Sequence, residues 1–318
     1  MASLPVDSYV LLNRASRKEK FKKYFPLYAM MLPGALYLIV NNYIPMAGIV
    51  IAFKQYNFAR GFLRSPWVGL KNFDFLFASS DAWLITRNTL VYNTVFIALN
   101  TALSVLFAMF ICDTANRALK KVFQSAILFP FLMSMVIVGY VVYAFFSMQS
   151  GIVNKTILPL LGKEPIMWYN IPRYWPAILI TVNAWKGIGY GCLIYISSIN
   201  GIDPTQFEAA ELDGASKWQR IRHITLPAII PPMITLILLS VGRIFYSDFG
   251  LFYQIPRNSG PLFPTTNVID TYVYRALMER GNISMSSSAG VYQSLVGFLL
   301  VLGPNWVVRK LSRENALF

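Results

Sequence analysis

Three ionisable residues interrupt long apolar runs of this 318-residue chain: Lys186, Arg243 and Asp248. A charge within a bilayer is expensive, so such groups face a partner or a hydrated cavity. Lys186 sits among Asn183, Trp185 and Tyr190, with glycines at 187, 189 and 191 that permit close helix approach or a local break. Two readings stand for it. One is a structural cation that pairs with an acid or caps backbone carbonyls; the other is a lining group of a path for a polar, hydroxyl-rich solute. Arg243 and Tyr246 are three apart and would share a helix face, with Asp248 near the end of the same run. An ion pair within or between helices competes there with contact to a solute.

A second concentration of chemistry is a polar island, residues 201–227, between two apolar runs. It holds Glu208, Glu211 and Asp213, three of the 14 acidic residues within six positions, and His223, the only histidine. Asp203 can cap a helix that opens on Pro204, with Gln206 three residues on to complete a capping box. Gly214 suits the end of that helix, because a residue without Cβ enters the left-handed region at little cost. Ser216 can cap a second helix with Trp218, Ile221 and Ile224 on one face and Pro227 at its end. The outcome would be an elbow of two short helices. His223 has no partner nucleophile in view and reads as a solvated or helix-end residue.

The elements that must position these groups follow from composition. The chain is 56% hydrophobic and 13% charged, with a mean hydropathy of +0.50; a soluble domain carries about 25% charged residues. Six apolar runs, at 27–52, 89–112, 123–147, 175–199, 228–250 and 288–308, each approach the ~20 residues a helix needs to cross a bilayer. The net charge of +14 is spread between those runs instead of gathered in one basic domain, which argues against nucleic acid as a partner. With the N-terminus inside, the inner segments hold 15 of the 28 Lys and Arg and the longer outer loops 11, which predicts both termini in the cytoplasm and the elbow there too. The first run is too long for a signal peptide core and no small-residue cleavage site follows it.

Several chemistries have no residues to carry them. No phosphate-binding loop is present, since Gly162-Lys163 lacks the upstream glycine and the hydroxyl residue. One histidine and two distant cysteines, Cys112 and Cys192, make neither a zinc site nor a disulfide scaffold. Any energy source must therefore lie on another protein. Trp185, Tyr190, Tyr246 and Tyr253 offer aromatic faces on which sugar rings would stack.

The elbow also carries a family likeness. Glu208-Ala209-Ala210, three residues, Gly214, nine residues, Ile224, one residue, Leu226-Pro227 resembles the EAA-x3-G-x9-I-x-L-P signature of binding-protein-dependent ABC importer permeases. Leu32-Pro33-Gly34, Tyr43-Ile44-Pro45-Met46, Trp67-Val68-Gly69-Leu70, Arg87-Asn88-Thr89, Gly151-Ile152-Val153-Asn154, Trp185-Lys186 and the segment Ile269 to Arg275 resemble the LplB-type branch of sugar permeases. That branch is similar to the maltose- and alginate-transporter membrane subunits. Phe207 departs from it, standing where the branch usually has Tyr. The resemblance implies an all-α polytopic membrane protein of six transmembrane helices, with the fold of type I ABC importer permeases. Residues 1–26 would be a basic cytoplasmic segment and 27–318 the permease domain, its 200–227 loop being the coupling helix.

On that likeness, Glu208, Ala209, Ala210, Asp213, Gly214 and Trp218 would couple to an ATPase. Gly214 would turn the chain so that Trp218 and Ile221 pack back on the membrane domain. Asn183, Trp185, Lys186, Tyr190, Arg243, Tyr246, Asp248 and Tyr253 are candidates for the translocation path. The partners implied are a second homologous permease, two cytoplasmic ATPase subunits that bind ATP and magnesium, and an extracellular or periplasmic solute-binding protein. That protein would deliver an oligosaccharide across the bacterial cytoplasmic membrane. No cofactor is expected on this chain. Two other classes compete: a membrane-embedded transferase, which needs clustered acids or histidines at a membrane face, and a secondary transporter, which needs intramembrane carboxylates. Asp248 is the only acid within the six runs.

Overall fold

The computed structural model describes residues 17–74 and 80–311, so the part of the basic N-terminal segment before residue 17 lies outside the described residues. Helices account for nearly all of the regular structure. No β-strand occurs among the described residues, only a single bridge between Lys54 and Trp67. The chain divides into two compact units between Ile51 and Ala52. The first contains α1 (Arg17–Leu38), which runs through the expected 26/27 boundary. The second contains α2 (Ser80–Asp113), α3 (Arg117–Leu132), α4 (Met135–Phe146), α5 (Trp175–Asn200), α6 (Pro204–Leu212), α7 (Lys217–Arg220), α8 (Leu226–Val241), α9 (Phe249–Gln254), α10 (Ile269–Met278) and α11 (Ile283–Leu311). Five helices among the described residues are long and apolar enough to cross a bilayer, and α3 with α4 supplies a sixth, bent segment.

The centre of the second unit is the pairing of α2 with α5, flanked by α3 and α8. Small residues let these helices approach. A Cβ added at Gly189 would stand 2.4 Å from the Ile127 carbonyl oxygen on α3, and one at Gly191 would stand 2.8 Å from Ser104 Oγ on α2. Ser104 Oγ donates to the Ile188 carbonyl at 3.0 Å across the same crossing. Ala108, Ile111, Cys192, Tyr195, Ile196 and Ile229 fill the adjoining core, and Cys192 serves there as a small buried hydrophobe. A second core nearer the start of α5 is built on Trp175, Leu179, Tyr92, Phe96, Val138 and Phe252.

Prolines shape the helices in a regular way. Each of the three five-residue π turns, at Ile39–Tyr43, Val153–Ile157 and Ile221–Thr225, closes on a residue that immediately precedes a proline. Proline supplies no N–H to the helix ladder and its ring crowds the carbonyl one turn back, so widening that turn by one residue relieves both problems. Pro227 therefore does not end the second elbow helix, as the sequence suggests. Leu226 N–H bonds to Ile221 O, and helix continues from Lys217 to Val241 as one apolar span of 25 residues.

Two apolar runs expected to be single helices are broken. The third, 123–147, bends by 99° between α3 and α4, where Ser134 Oγ caps α4 by accepting from Ile137 N–H at 3.3 Å. The carbonyls freed at the bend are met by Lys186, whose Nζ donates to Phe131 O at 2.8 Å and Met133 O at 2.6 Å, with Pro130 O at 3.4 Å. The fifth, 228–250, ends as helix at Val241, and residues 242–248 are non-helical. Arg243 and Tyr246 hence do not share a helix face, and Asp248 is not inside a span but caps α9, accepting from Leu251 N–H at 3.0 Å.

The groups freed by this second break are satisfied from three other helices. Asn93 Nδ2 on α2 donates to Ile244 O at 2.8 Å and Tyr246 O at 3.1 Å. Gln293 Nε2 on α11 donates to Phe245 O at 2.8 Å, and Ser247 N–H donates to Asp270 Oδ2 on α10 at 2.7 Å. Burial pushes the Asp270 carboxyl above the usual carboxylate range, while its bonds from Ser247 and Gln293 pull it back. Arg275, one turn further along α10, donates to the side chains of Asn267, Asn258 and Thr271 and lies over the Phe263 ring, so it organises the preceding loop.

Two stability predictions follow from these contacts. Gly189→Ala forces its Cβ against backbone on α3 and is expected to lower stability by about 1–3 kcal/mol, whereas Gly290→Ala, with open space around it, is neutral or stabilising in a thermal melt of the detergent-solubilised protein. Lys186→Met leaves the carbonyls of the α3–α4 bend unpaired and is expected to cost about 1–3 kcal/mol. Lys186→Arg, which retains the donors, should recover most of that loss in the same melt.

Candidate functional site

The elbow is built from caps at each of its three junctions. Asp203 accepts from Thr205 N–H at 3.0 Å and this bond holds its carboxyl below the usual range. Gln206 does not complete a box there, because its own N–H is spent on the Asp203 carbonyl at 3.1 Å in the first turn. At the far end Gly214 takes φ of +72°, the Gly214 N–H bonds to Glu211 O at 3.1 Å and the Ala215 N–H to Ala210 O at 2.8 Å. That pair of bonds is a Schellman closure, and it turns the chain sharply between α6 and α7. The reciprocal capping box lies instead at Ser216 and Gln219, with bonds of 2.7 and 3.4 Å. His223 Nδ1 sits 3.0 Å from Gln219 O, one turn back.

Charge ties the elbow to the bundle and to itself. Lys217 Nζ donates to Asp113 Oδ2 at the end of α2 at 2.5 Å, and Arg220 reaches Glu211 at 3.4 Å across the turn. Glu208 and Asp213 have no ion pair among the described residues and, with Ala209 and Gly214, face outward; Ala210 is half-buried. Trp218 is 66% exposed, so it does not pack back on the membrane domain as expected; Ile221 alone is half-buried. The tight turn at Gly214 sets α7 so that Lys217 reaches Asp113 on the bundle and Arg220 reaches back to Glu211, which leaves the indole exposed. Leu212 is 90% exposed at the tip of α6. Sequence reasoning passed over it, although a leucine between Glu211 and Asp213 on a polar segment is itself a signal.

The candidate path residues do not form one cluster. Tyr190 and Arg243 line a cavity of about 440 Å³ half-way along α5, together with Asn100, Thr101 and Ser104 of α2 and Ser240 of α8. Asn183 adjoins it, accepting from Asn100 Nδ2 at 2.9 Å. Tyr246 stands in the same break as Arg243 with its hydroxyl 3.3 Å from Ser294 Oγ. Tyr253 lines a different cavity of about 240 Å³ with Arg257 and Tyr140, and stacks on Phe249. Lys186 is committed to the α3–α4 bend, Asp248 to capping α9, and Trp185 is exposed and lines neither cavity. Asn100, Thr101 and Ser104 were missed by sequence reasoning; their spacing of one and four puts them on one face of α2, the pattern that would have found them.

Comparison with known proteins agrees with this geometry. Residues 100–313 match the family described as the binding-protein-dependent transport system inner membrane component. Protein LplB of Bacillus subtilis is 31% identical over 289 residues, covering 91% of this chain and 90% of the relative. The polygalacturonan/rhamnogalacturonan transport system permease protein YteP of the same organism is 32% identical over 317 residues, covering 99% and 98%. Among solved structures, a bacterial alginate ABC transporter in complex with its alginate pentasaccharide-bound periplasmic protein contains a chain of the same fold, at a TM-score of 0.83 and 29% identity, covering 92% of this chain and 97% of that one. An all-helical bundle of membrane-spanning length, an elbow with the family's spacing and matches over nearly the whole chain converge: this protein belongs to the binding-protein-dependent transport system inner membrane components, the permease subunits of ABC importers, and is a transport subunit and not an enzyme.

Proposed function

We propose that this chain is one of two homologous permeases through which an oligosaccharide crosses the bacterial cytoplasmic membrane, driven by two ATPase subunits docked on the cytoplasmic side. The observation that carries this reading is the elbow. It is a rigid, capped projection that presents two acids without an ion pair among the described residues, Glu208 and Asp213, and one leucine, Leu212, to solvent. Such a surface matches a groove with basic groups at its rim and an apolar floor. The excess of Lys and Arg on the inner segments supports cytoplasmic termini and a cytoplasmic elbow.

In this reading ATP and magnesium bind the ATPase subunits, and this chain contributes only mechanics. Closure of the ATPases moves the elbow. Helix runs unbroken from Lys217 to Val241, about 37 Å at 1.5 Å per residue, so the displacement reaches the break that carries Arg243 and Tyr246. The Lys217–Asp113 pair carries the same displacement into α2. An extracellular or periplasmic binding protein would deliver the saccharide at the opposite face, where the 53–88, 148–174 and 251–287 loops lie. Relatives named for polygalacturonan, rhamnogalacturonan and alginate support a saccharide as the solute. No nucleic acid enters this scheme.

Reconstitution of the whole complex in vesicles tests the reading: uptake is expected to require ATP and both ATPase subunits, and uptake that persists without them would refute it. Leu212→Glu and Glu208→Lys should each weaken ATPase docking about ten- to hundredfold, the range for losing a buried leucine or a charge-assisted contact. Co-purification of the ATPase with the membrane subunits measures this, and Leu212→Met should retain docking.

A further inference from the structure

Resting on the importer reading, we propose that the solute is an anionic saccharide and that Arg243 binds its carboxylate during passage. Arg243 is exposed in the 440 Å³ cavity and has neither a hydrogen bond nor an ion pair from its side chain among the described residues. An arginine half-way along a membrane-spanning bundle is costly unless hydrated or paired. The negative end of α8, which stops two residues before it, offsets about half a charge and leaves the rest unmet. The cavity supplies no acid: its other polar groups are the amide of Asn100, hydroxyls of Thr101, Ser104 and Ser240, and the phenols of Tyr190 and Tyr195. These neutral groups suit sugar hydroxyls, and the guanidinium offers the paired N–H fork that a carboxylate accepts.

The placement of Arg243 is built, not incidental. Three side chains from three helices, Asn93, Gln293 and Asp270, are spent on the backbone of residues 244–247 so that α8 can stop where it does. Irregular backbone at membrane depth is tolerated where it lines a cavity, and broken helices are a recurring way to face a solute. The same sign of charge recurs elsewhere. A second cavity of about 500 Å³, between the 53–88 loop and the start of α11, is lined by Lys71 and Arg280, and a third of about 240 Å³ by Arg257. None of the three is lined by Asp or Glu. Arg257 already lies 4.1 Å from the Tyr143 ring centroid, whereas Arg243 makes no side-chain hydrogen bond or ion pair among the described residues, so Arg243 is the cation the solute would meet.

The test uses the complete complex with its ATPases and binding protein in vesicles. Saturated oligogalacturonates and oligomannuronates of four to six residues are compared with their carboxyl-reduced, neutral counterparts, which keep length and linkage. The intact complex is expected to take up an acidic set in preference to its neutral twin. Arg243→Gln should reduce that preference, as the ratio of kcat/KM, by about ten- to hundredfold, the range for losing a charge-assisted bond, and Arg243→Lys should retain part of it. Preference for the neutral set, or a preference unchanged in Arg243→Gln, overturns the carboxylate assignment and leaves the importer reading standing. A complex of Arg243→Gln that fails to assemble on size-exclusion chromatography also overturns it, since the arginine would then be paired by the second permease. Absence of ATP-dependent uptake for every set refutes the importer reading itself.

Discussion

A peptide group left unpaired in hydrocarbon costs several kcal/mol, and this constraint explains the arrangement of the second unit better than any single core contact. Among the described residues, the two breaks within apolar runs of this unit are each met by dedicated side chains. Lys186 closes the bend between α3 and α4. Asn93, Gln293 and Asp270 close the break between α8 and α9. The helices that donate these groups, α2, α5, α10 and α11, are thereby held in fixed relation to the breaks they serve. Close approach at Gly189 and Gly191 completes the frame by bringing α5 against α3 and α2.

One continuous helix, Lys217 to Val241, joins the elbow to the break that follows it. The elbow gains stiffness from a Schellman turn at Gly214, a capping box at Ser216 and the Lys217–Asp113 and Arg220–Glu211 pairs. Its second helix does not stop at Pro227, because the π turn before that proline absorbs the missing hydrogen bond. On the proposed importer reading, a displacement at the tip is carried along α8 to a break whose carbonyls are met by side chains from two other helices.

Much of the candidate site was legible in the residues and some of it was misread for a definable reason. The caps at Asp203 and Ser216 and the turn at Gly214 are local devices, and local chemistry is sufficient to read them. The capping box fell at Ser216 and not at Asp203, since the Gln206 N–H was already committed within the first turn. Trp218 was expected against the bundle and faces solvent, while Leu212 received no attention and is the most exposed apolar group of the elbow. The direction a side chain faces on a short helix depends on how the turn before it closes, and periodicity over four residues carries no such information.

Composition and the spacing of apolar runs by themselves determined that this is a helical membrane protein with six spanning segments, and the EAA-type spacing pointed to its family. Those features are repeated along the chain or set by covalent neighbours, so no tertiary information is needed to see them. Only the tertiary structure decided that Lys186 caps a bend, that Asp248 caps a helix and that Arg243 stands in a cavity without an ion pair among the described residues. Each of those outcomes turns on a break in a helix that hydropathy along the run does not position. A break forms where distant side chains, such as Asn93 and Gln293, are present to pair the freed backbone groups, and that proximity exists only after the helices have packed.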